Sequence, residues 1–270
     1  ASAPNDQARI EYSFDGSGRP LQAVAKARDG GGTLQTLQTL SKQPAYNFMA
    51  PQIAFVTDNT LATSTGPISG RRARFQVAPA VGNLRWIDFL GDYRQYFPIR
   101  FNSLTFAVRG LFNAAIGRDE EVFPKYIGRP QYVRGYDRAN FYGYECTSRI
   151  GSTQSCNTVQ LVGSRVAVGN AELRFPVIRR FDLGALPIGL PPVDGVIFYD
   201  AGLAWSKGQS VSLSKPADYN FETMRYPLTS YGFGLRVNLF NIAILRWDYA
   251  VPRDLPDRKA NWTFSLGPSF

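Results

Sequence analysis

The chain contains no histidine, so a Ser–His nucleophilic pair cannot be assembled and most metal sites lose their commonest ligand. The chemistry that remains is that of arginine and carboxylate. Three short segments concentrate it: Val133-Arg134-Gly135-Tyr136-Asp137, Asn170-Ala171-Glu172-Leu173-Arg174-Phe175-Pro176 and Phe198-Tyr199-Asp200-Ala201-Gly202. A guanidinium presents a fixed fork of donors that matches a carboxylate or a phosphate, so these residues suit holding and bracing rather than turnover. No cofactor or metal is implied, and an enzyme is not expected. Taken singly the residues are ordinary: Arg134 reads as a solvated loop cation, Asp200 as a carboxylate on a wet face, Gly202 as a packing gap.

The two cysteines, Cys146 and Cys156, lie in a polar stretch with Ser148, Ser152 and Ser155. A disulfide is the natural reading in an oxidising compartment, where closing so short a loop contributes about 3 kcal/mol by chain entropy. Two free thiols are the alternative. The net charge of +9 raises nucleic acid as a partner, but the arginines fall on the polar phase of strands and in loops rather than along a helical stripe, so none is expected. Gly232-x-Gly234 resembles part of a nucleotide loop. It lies mid-strand before no helix, and small-residue packing accounts for it.

The elements that must carry these residues are strands. In the last ten residues Trp262, Phe264, Leu266 and Phe270 alternate with Asn261, Thr263, Ser265 and Ser269. Side chains along a strand point alternately to opposite faces, so one face of this segment wants hydrocarbon and the other water. That is the signature of a transmembrane β-barrel strand. Aromatics make up 14% of the chain, yet its mean hydropathy is only −0.20. No run reaches the roughly 18 apolar residues a membrane-spanning helix requires. Alternating strands of about 9 to 11 residues satisfy every backbone amide in a closed barrel at low overall hydropathy.

The same alternation recurs upstream. Ala243, Leu245, Trp247, Tyr249 and Val251 oppose Arg246 and Asp248; Tyr231, Phe233, Leu235, Val237 and Leu239 oppose Gly232, Gly234, Arg236 and Asn238, with only Phe240-Asn241 between the two strands as a tight hairpin. Further strands are expected at Val196 to Trp205, Arg165 to Phe175, residues 103 to 114, 85 to 97 and 71 to 81, near Ile53 and Phe55, and at Ile10 to Phe14. Gly82-Asn83 gives a second two-residue hairpin signal. Residues 16 to 44 are ambiguous, with an extra hairpin around Leu21 to Lys26. The total is about ten to twelve strands. With short turns on the periplasmic side and long loops outside, residues 115 to 163, 206 to 228 and 253 to 259 become external loops, and Pro98 to Asn102 and Phe240-Asn241 periplasmic turns. Residues 177 to 192, rich in proline, are long for such a turn.

The three charged segments, in this order and on this alternation, resemble the BamA/TamA-type outer-membrane assembly barrels, the bacterial surface antigen superfamily. Leu245-Arg246-Trp247-Asp248-Tyr249-Ala250-Val251-Pro252 and the terminal aromatic strand, which is similar to the sorting signal of such barrels, add to the likeness. It covers residues 45 to 270 well and 1 to 44 poorly. The resemblance implies that the long external loop 115 to 163 folds back into the lumen, with Arg134, Gly135 and Tyr136 forming a lock against Glu172, Phe198, Asp200 and Gly202. Strand parity agrees: Phe198, Asp200 and Gly202 share one face, as do Asn170, Glu172 and Arg174, so Arg134 could reach two carboxylates, and Gly135 permits close backbone approach.

The expected fold is therefore all-β, a transmembrane antiparallel β-barrel in which this chain supplies the last ten to twelve strands of about sixteen. The expected domains are 1–44, holding the first strand and an external loop or extra hairpin, and 45–270, the outer-membrane barrel. The polar start at Ala1 to Pro4 shows no signal peptide, so either one has been removed or the chain begins inside a longer protein, such as one in which a TolB-like propeller precedes the barrel. A barrel closed by this chain alone is the alternative. The resemblance implies insertion or translocation of outer-membrane polypeptides; a structural or transport barrel of an envelope complex is the competing reading, favoured by the lack of POTRA repeats in this sequence. Partners would be outer-membrane lipid and lipopolysaccharide, client polypeptides or envelope-complex subunits. The arginines serve either lumenal carboxylates or lipopolysaccharide phosphates.

Overall fold

The structure, a computed structural model, describes residues 9–14, 20–28, 34–41, 46–101, 103–136, 160–178, 181–182, 189–215, 223–239, 242–254 and 260–267. Two compact units divide the chain, Ala1–Asn47 and Phe48–Phe270. The first holds three antiparallel strands in sequence order, β1 (Arg9–Phe14), β2 (Pro20–Arg28) and β3 (Leu34–Ser41). The stretch that the sequence left ambiguous thus contains a hairpin, with Ala25 of β2 opposite Gln38 of β3.

The second unit is one antiparallel meander. Its strands are β4 (Ile53–Asp58), β5 (Gly66–Gly82), β6 (Trp86–Arg100), β7 (Leu104–Gly117), β8 (Arg165–Ile178), β9 (Val193–Trp205), β10 (Leu228–Leu239), β11 (Ala243–Pro252) and β12 (Asn261–Leu266). Each pairs with its neighbours in sequence from β4 to β12. Two short pieces, Phe48–Met49 and Leu61–Thr63, lie with β4 along β5 and complete a single broken edge strand. Connections alternate between the two ends of such a meander: those after β7, β9 and β11 are long and share one end with the short one after β5, and at the other end the connections after β6 and β10 are short while that after β8 is long.

Alternation sets the two faces of this sheet. Phe75, Val77, Phe89, Phe97, Phe106, Phe112, Ile197, Tyr199, Tyr231, Phe233, Trp247, Trp262 and Phe264 all stand exposed on the outside. The inner face carries Asp92, Arg109, Asn170, Glu172, Arg174, Asp200, Arg236, Arg246 and Asp248, of which all but Asp92 are buried. A soluble sheet would invert this arrangement; a sheet bathed in hydrocarbon requires it.

Several boundaries differ from the sequence reading. β6 runs through Pro98 to Arg100, so the strand continues past the point where the sequence reading starts the turn of 98–102, and the Ser103 N–H donates to the Arg100 carbonyl at 2.9 Å; its ladder is irregular between Pro98 and Arg100, where the proline has no N–H to donate. Asn83–Arg85 separate β5 from β6, so the connection at Gly82-Asn83 is longer than a two-residue hairpin. β9 starts at Val193, because Val193 and Asp194 still pair with Val237 and Arg236. Within residues 177 to 192, Phe181–Asp182 pair with Gly189–Leu190 as a small ladder, which gives this long connection a structure of its own. The Phe240-Asn241 turn lies outside the described residues, although Leu239 and Ala243 pair directly on either side of it.

The start of β5 is used in a way that periodicity did not suggest. Gly70 has φ +94°, a left-handed conformation that a side chain would resist, and residues 63–68 reach the inner face of distant strands. The Thr65 hydroxyl donates to Asp194, Asn238 Nδ2 to the Ser64 carbonyl, Arg174 Nη1 to the Pro67 carbonyl at 3.3 Å and Thr105 Oγ1 to the Ile68 carbonyl at 3.4 Å. These partners come from β9, β10, β8 and β7, so the turn caps one end of the polar interior.

Candidate functional site

Arg134 is 1% exposed and sits among the inner faces of β8, β9 and β11. Its Nε and Nη2 donate to Asp200 Oδ2 and Oδ1, each at 2.7 Å, and its Nη1 donates to Glu172 Oε1 at 2.7 Å. Its backbone N–H adds a fourth bond, to Asp200 Oδ2 at 3.2 Å. The guanidinium plane lies over the Phe198 ring, 3.6 Å from its centroid, a cation–π contact in a water-poor site. One arginine thus meets both carboxylates expected from strand parity, together with the aromatic two residues before Asp200.

The loop backbone around it is tied down residue by residue. Arg109 Nη1 donates to the Gln131 carbonyl at 2.8 Å and Asn170 Nδ2 to the Tyr132 carbonyl at 2.7 Å. Val133 packs where a side chain at position 202 would stand: a Cβ on Gly202 would overlap Val133 Cγ2. Gly135 adopts φ +87°, and a Cβ there would approach Ala250 Cβ to 3.2 Å and Pro252 Cδ to 3.3 Å. Asn261 Nδ2 donates to the Gly135 carbonyl at 3.1 Å. The Tyr136 hydroxyl donates to the Thr229 carbonyl at 2.8 Å and lies 3.1 Å from both Asp254 Oδ2 and the Asp254 N–H. Burial, and then the Asp254 carboxylate, raise the Tyr136 phenol above its ordinary pKa and keep it protonated as a donor.

An apolar cluster surrounds this staple: Ile127, Val133, Tyr136 and Leu161 from the loop pack with Leu111, Val166, Val168, Ala204, Tyr226 and Leu228. At the loop base Glu120 accepts from the Gly117 N–H at 3.0 Å, from Ser164 Oγ at 3.1 Å and from Arg165 Nη2 at 3.1 Å. Burial alone would raise the Glu120 pKa, but these bonds and the Arg165 charge outweigh it and hold the carboxyl below its usual range.

The ionic network extends past the residues singled out from sequence. Arg174 chelates Glu172 Oε2 through Nε at 2.9 Å and Nη2 at 2.7 Å, and Arg236 Nη1 donates to Asp248 Oδ1 at 2.7 Å. Asn170 Nδ2 also reaches Asp200 Oδ1 at 2.8 Å, and Asp92 is shared between Arg94 and Arg109. The sequence reading does not single out Asp248, Asn170, Asp254 and Asn261 as partners of the loop, nor Arg236 as a partner of Asp248. For Arg236 and Asp248 a signal existed, since both lie on the polar phase of their strands; nothing in periodicity says which polar positions meet a loop from elsewhere. Gly232 and Gly234 face this interior. A Cβ on Gly232 would overlap the Tyr249 carbonyl and approach Phe198 Cζ to 2.8 Å, so close packing is their role in the wall.

On the outside, Trp262, Phe264 and Leu266 are 56%, 62% and 64% exposed, and Trp262 packs its ring against Tyr249 and Trp247 at 4.8 and 5.2 Å. Phe270, Cys146 and Cys156 lie outside the described residues. Among the described residues no His/Cys/Asp/Glu group is arranged to hold a metal ion. The family model described as the Omp85 superfamily domain matches residues 48–270. No curated protein matches the chain.

Proposed function

The chain belongs to the Omp85 superfamily, outer-membrane β-barrels that serve assembly or transport and carry no enzymatic activity, and from that premise we propose that this barrel inserts or translocates outer-membrane polypeptides. The observation that carries the reading is the tie between the lumenal loop and the last strand. Among the described residues β12 is an edge strand, pairing with β11 alone. Such an edge is a template for an incoming strand. The bond from Asn261 Nδ2 to the Gly135 carbonyl joins that strand to the segment held by Arg134, Glu172 and Asp200. Arg134, Gly135 and Tyr136 then act as a brace that keeps the wall rigid beside a seam able to open, while Trp262, Phe264 and Leu266 anchor the seam strand in lipid.

Membrane lipid contacts the exposed aromatic face, and arginines of the outer rim such as Arg118 suit lipopolysaccharide phosphates. The domain reading adds a unit at 1–44 whose strands precede the barrel proper, and the cysteine pair would tie the external loop.

The test is site-specific photo-crosslinking from position 261 or 265 in cells, combined with depletion. Adducts with other barrel precursors, together with loss of those barrels on depletion, are expected. Unchanged levels of other barrels, with a steady single-channel conductance for the purified protein, would replace this reading with that of a transport barrel.

A further inference from the structure

Near the mouth closed by residues 63–68, the inner wall places two arginines opposite one another. Arg236 of β10 and Arg246 of β11 are direct cross-strand partners, 1% and 4% exposed. Like charges at that position repel, more so away from water. On the next strand Ser265 faces Arg246, and one layer higher Thr263 faces Asp248. Of the carboxylates around this pair, Glu172 is engaged by Arg134 and Arg174, Asp200 by Arg134 and Asn170, and Asp194, the other cross-strand partner of Arg236, by Thr65, while Asp248 meets the pair itself through one hydrogen bond, from Arg236 Nη1 to Oδ1.

What is left over is almost all of one kind. Arg236 Nε and Nη2, Arg246 Nε, Thr263 Oγ1 and Ser265 Oγ are buried atoms without a hydrogen-bond partner. Arg236 Nη2 comes no nearer than 3.6 Å to Glu172 Oε1, and Arg246 Nη2 stands 3.6 Å from Asp248 Oδ2, itself without a hydrogen bond. Buried donors left in this condition are costly, and in folded proteins they are matched. Two guanidiniums and two hydroxyls converging from three adjacent strands match a group with several acceptor oxygens. Asp248 Oδ2 beside them is placed to accept a hydrogen bond from the P–O–H of a hydrogen phosphate.

We propose that Arg236, Arg246, Thr263 and Ser265 form an oxyanion site inside the barrel, on the inner face of its last three strands, built for a phosphate or carboxylate group. An anion bridging Arg236 and Arg246 turns their repulsion into two charge-assisted contacts. Because Ser265 belongs to the terminal strand, occupancy also fastens that strand to β10 and β11 from the inside.

The test is inorganic phosphate binding to the full chain in detergent micelles, followed by calorimetry and by phosphorus NMR line broadening. Saturable binding is expected, weakened at least tenfold by Arg246→Gln and several-fold by Ser265→Ala. It should be unchanged in Arg94→Gln, whose guanidinium is already held by Asp92. Ser265→Ala removes one hydroxyl and leaves the ion pairs intact, so it stays informative if Arg246→Gln does not fold. Displacement of phosphate by millimolar acetate assigns the site to carboxylates as well; resistance to acetate restricts it to phosphate groups. Absence of saturable binding, or wild-type affinity in both Arg246→Gln and Ser265→Ala, overturns the proposal.

Discussion

Arg134 grips Asp200 by both Nε and Nη2, each contact 2.7 Å long, across 66 residues of sequence and with neither side chain open to solvent. The pair is two-point, in the manner that the forked donors of arginine supply. Its remaining nitrogen, Nη1, goes to Glu172, so the loop cation is neutralised from two strands at once.

Replacing Arg134 with Ala leaves Asp200 and Glu172 buried with fewer counter-charges, and breaking a buried pair in this way costs about 3–5 kcal/mol. Arg134→Lys keeps the charge but loses the fork. Protease resistance of the loop in intact cells should fall in the order wild type, Lys, Ala. A loop equally resistant in all three would show that the pair does not hold it.

Gly202 is the seat of Val133, so Gly202→Ala should destabilise by about 1–3 kcal/mol through overpacking. The double variant Gly202→Ala with Val133→Ala removes the offending methyl groups and should recover much of that loss. Denaturant midpoints of the four proteins in micelles measure the coupling; strict additivity would mean that the two residues do not meet.

Tyr136→Phe deletes one hydroxyl that bonds Thr229 and Asp254. Asp254 retains the Thr229 N–H at 2.7 Å, so no carboxylate is stranded and the cost is modest, about 1 kcal/mol. Hydrogen exchange at Thr229 and Asp254 should accelerate while β8 and β9 stay protected. Acceleration spread evenly over all strands would instead indicate a global effect.

The lipid-facing half of the fold was legible in the sequence because period-two alternation and register are the same information: Phe233, Tyr249 and Trp262 appear as outward residues in the text of the chain and as one cross-strand row in the sheet. Glu172 and Asp200 were legible as inward residues for the same reason. Their meeting with Arg134 was legible only by resemblance, since parity fixes the face of a strand residue but not the path of a loop. Residues 63–68 lacked even that guide. Their turn depends on Gly70 at φ +94° and on partners from four other strands, none of which leaves a periodic trace.

Acid should loosen the base of the loop. Glu120 has its pKa lowered in the fold from an ordinary 4.5, so its contribution is complete above that value and is lost as pH falls through the lower folded value. Proteolysis of the loop in micelles should therefore increase below about pH 4.5, and Glu120→Gln should be loose already at pH 7 and show less further change. A wild-type profile flat to pH 3 would exclude Glu120 as the clasp.

The terminal strand offers a two-sided test of the bilayer as solvent. Phe264 is exposed beside Trp247 on the outer face, whereas Thr263, one residue earlier, is buried on the inner face. Arginine facing hydrocarbon costs about 2–4 kcal/mol at the bilayer midplane and about 0–1 kcal/mol near the interface. Phe264→Arg should therefore lower refolding stability in vesicles by an amount that depends on depth, and Phe264→Leu should be nearly silent. In detergent-free aqueous buffer the ranking should reverse, because the arginine lessens the apolar surface offered to other copies of the chain. If Phe264→Arg refolds into vesicles as well as Phe264→Leu does, this face of β12 is not in contact with lipid, and the seam strand must be covered by protein instead.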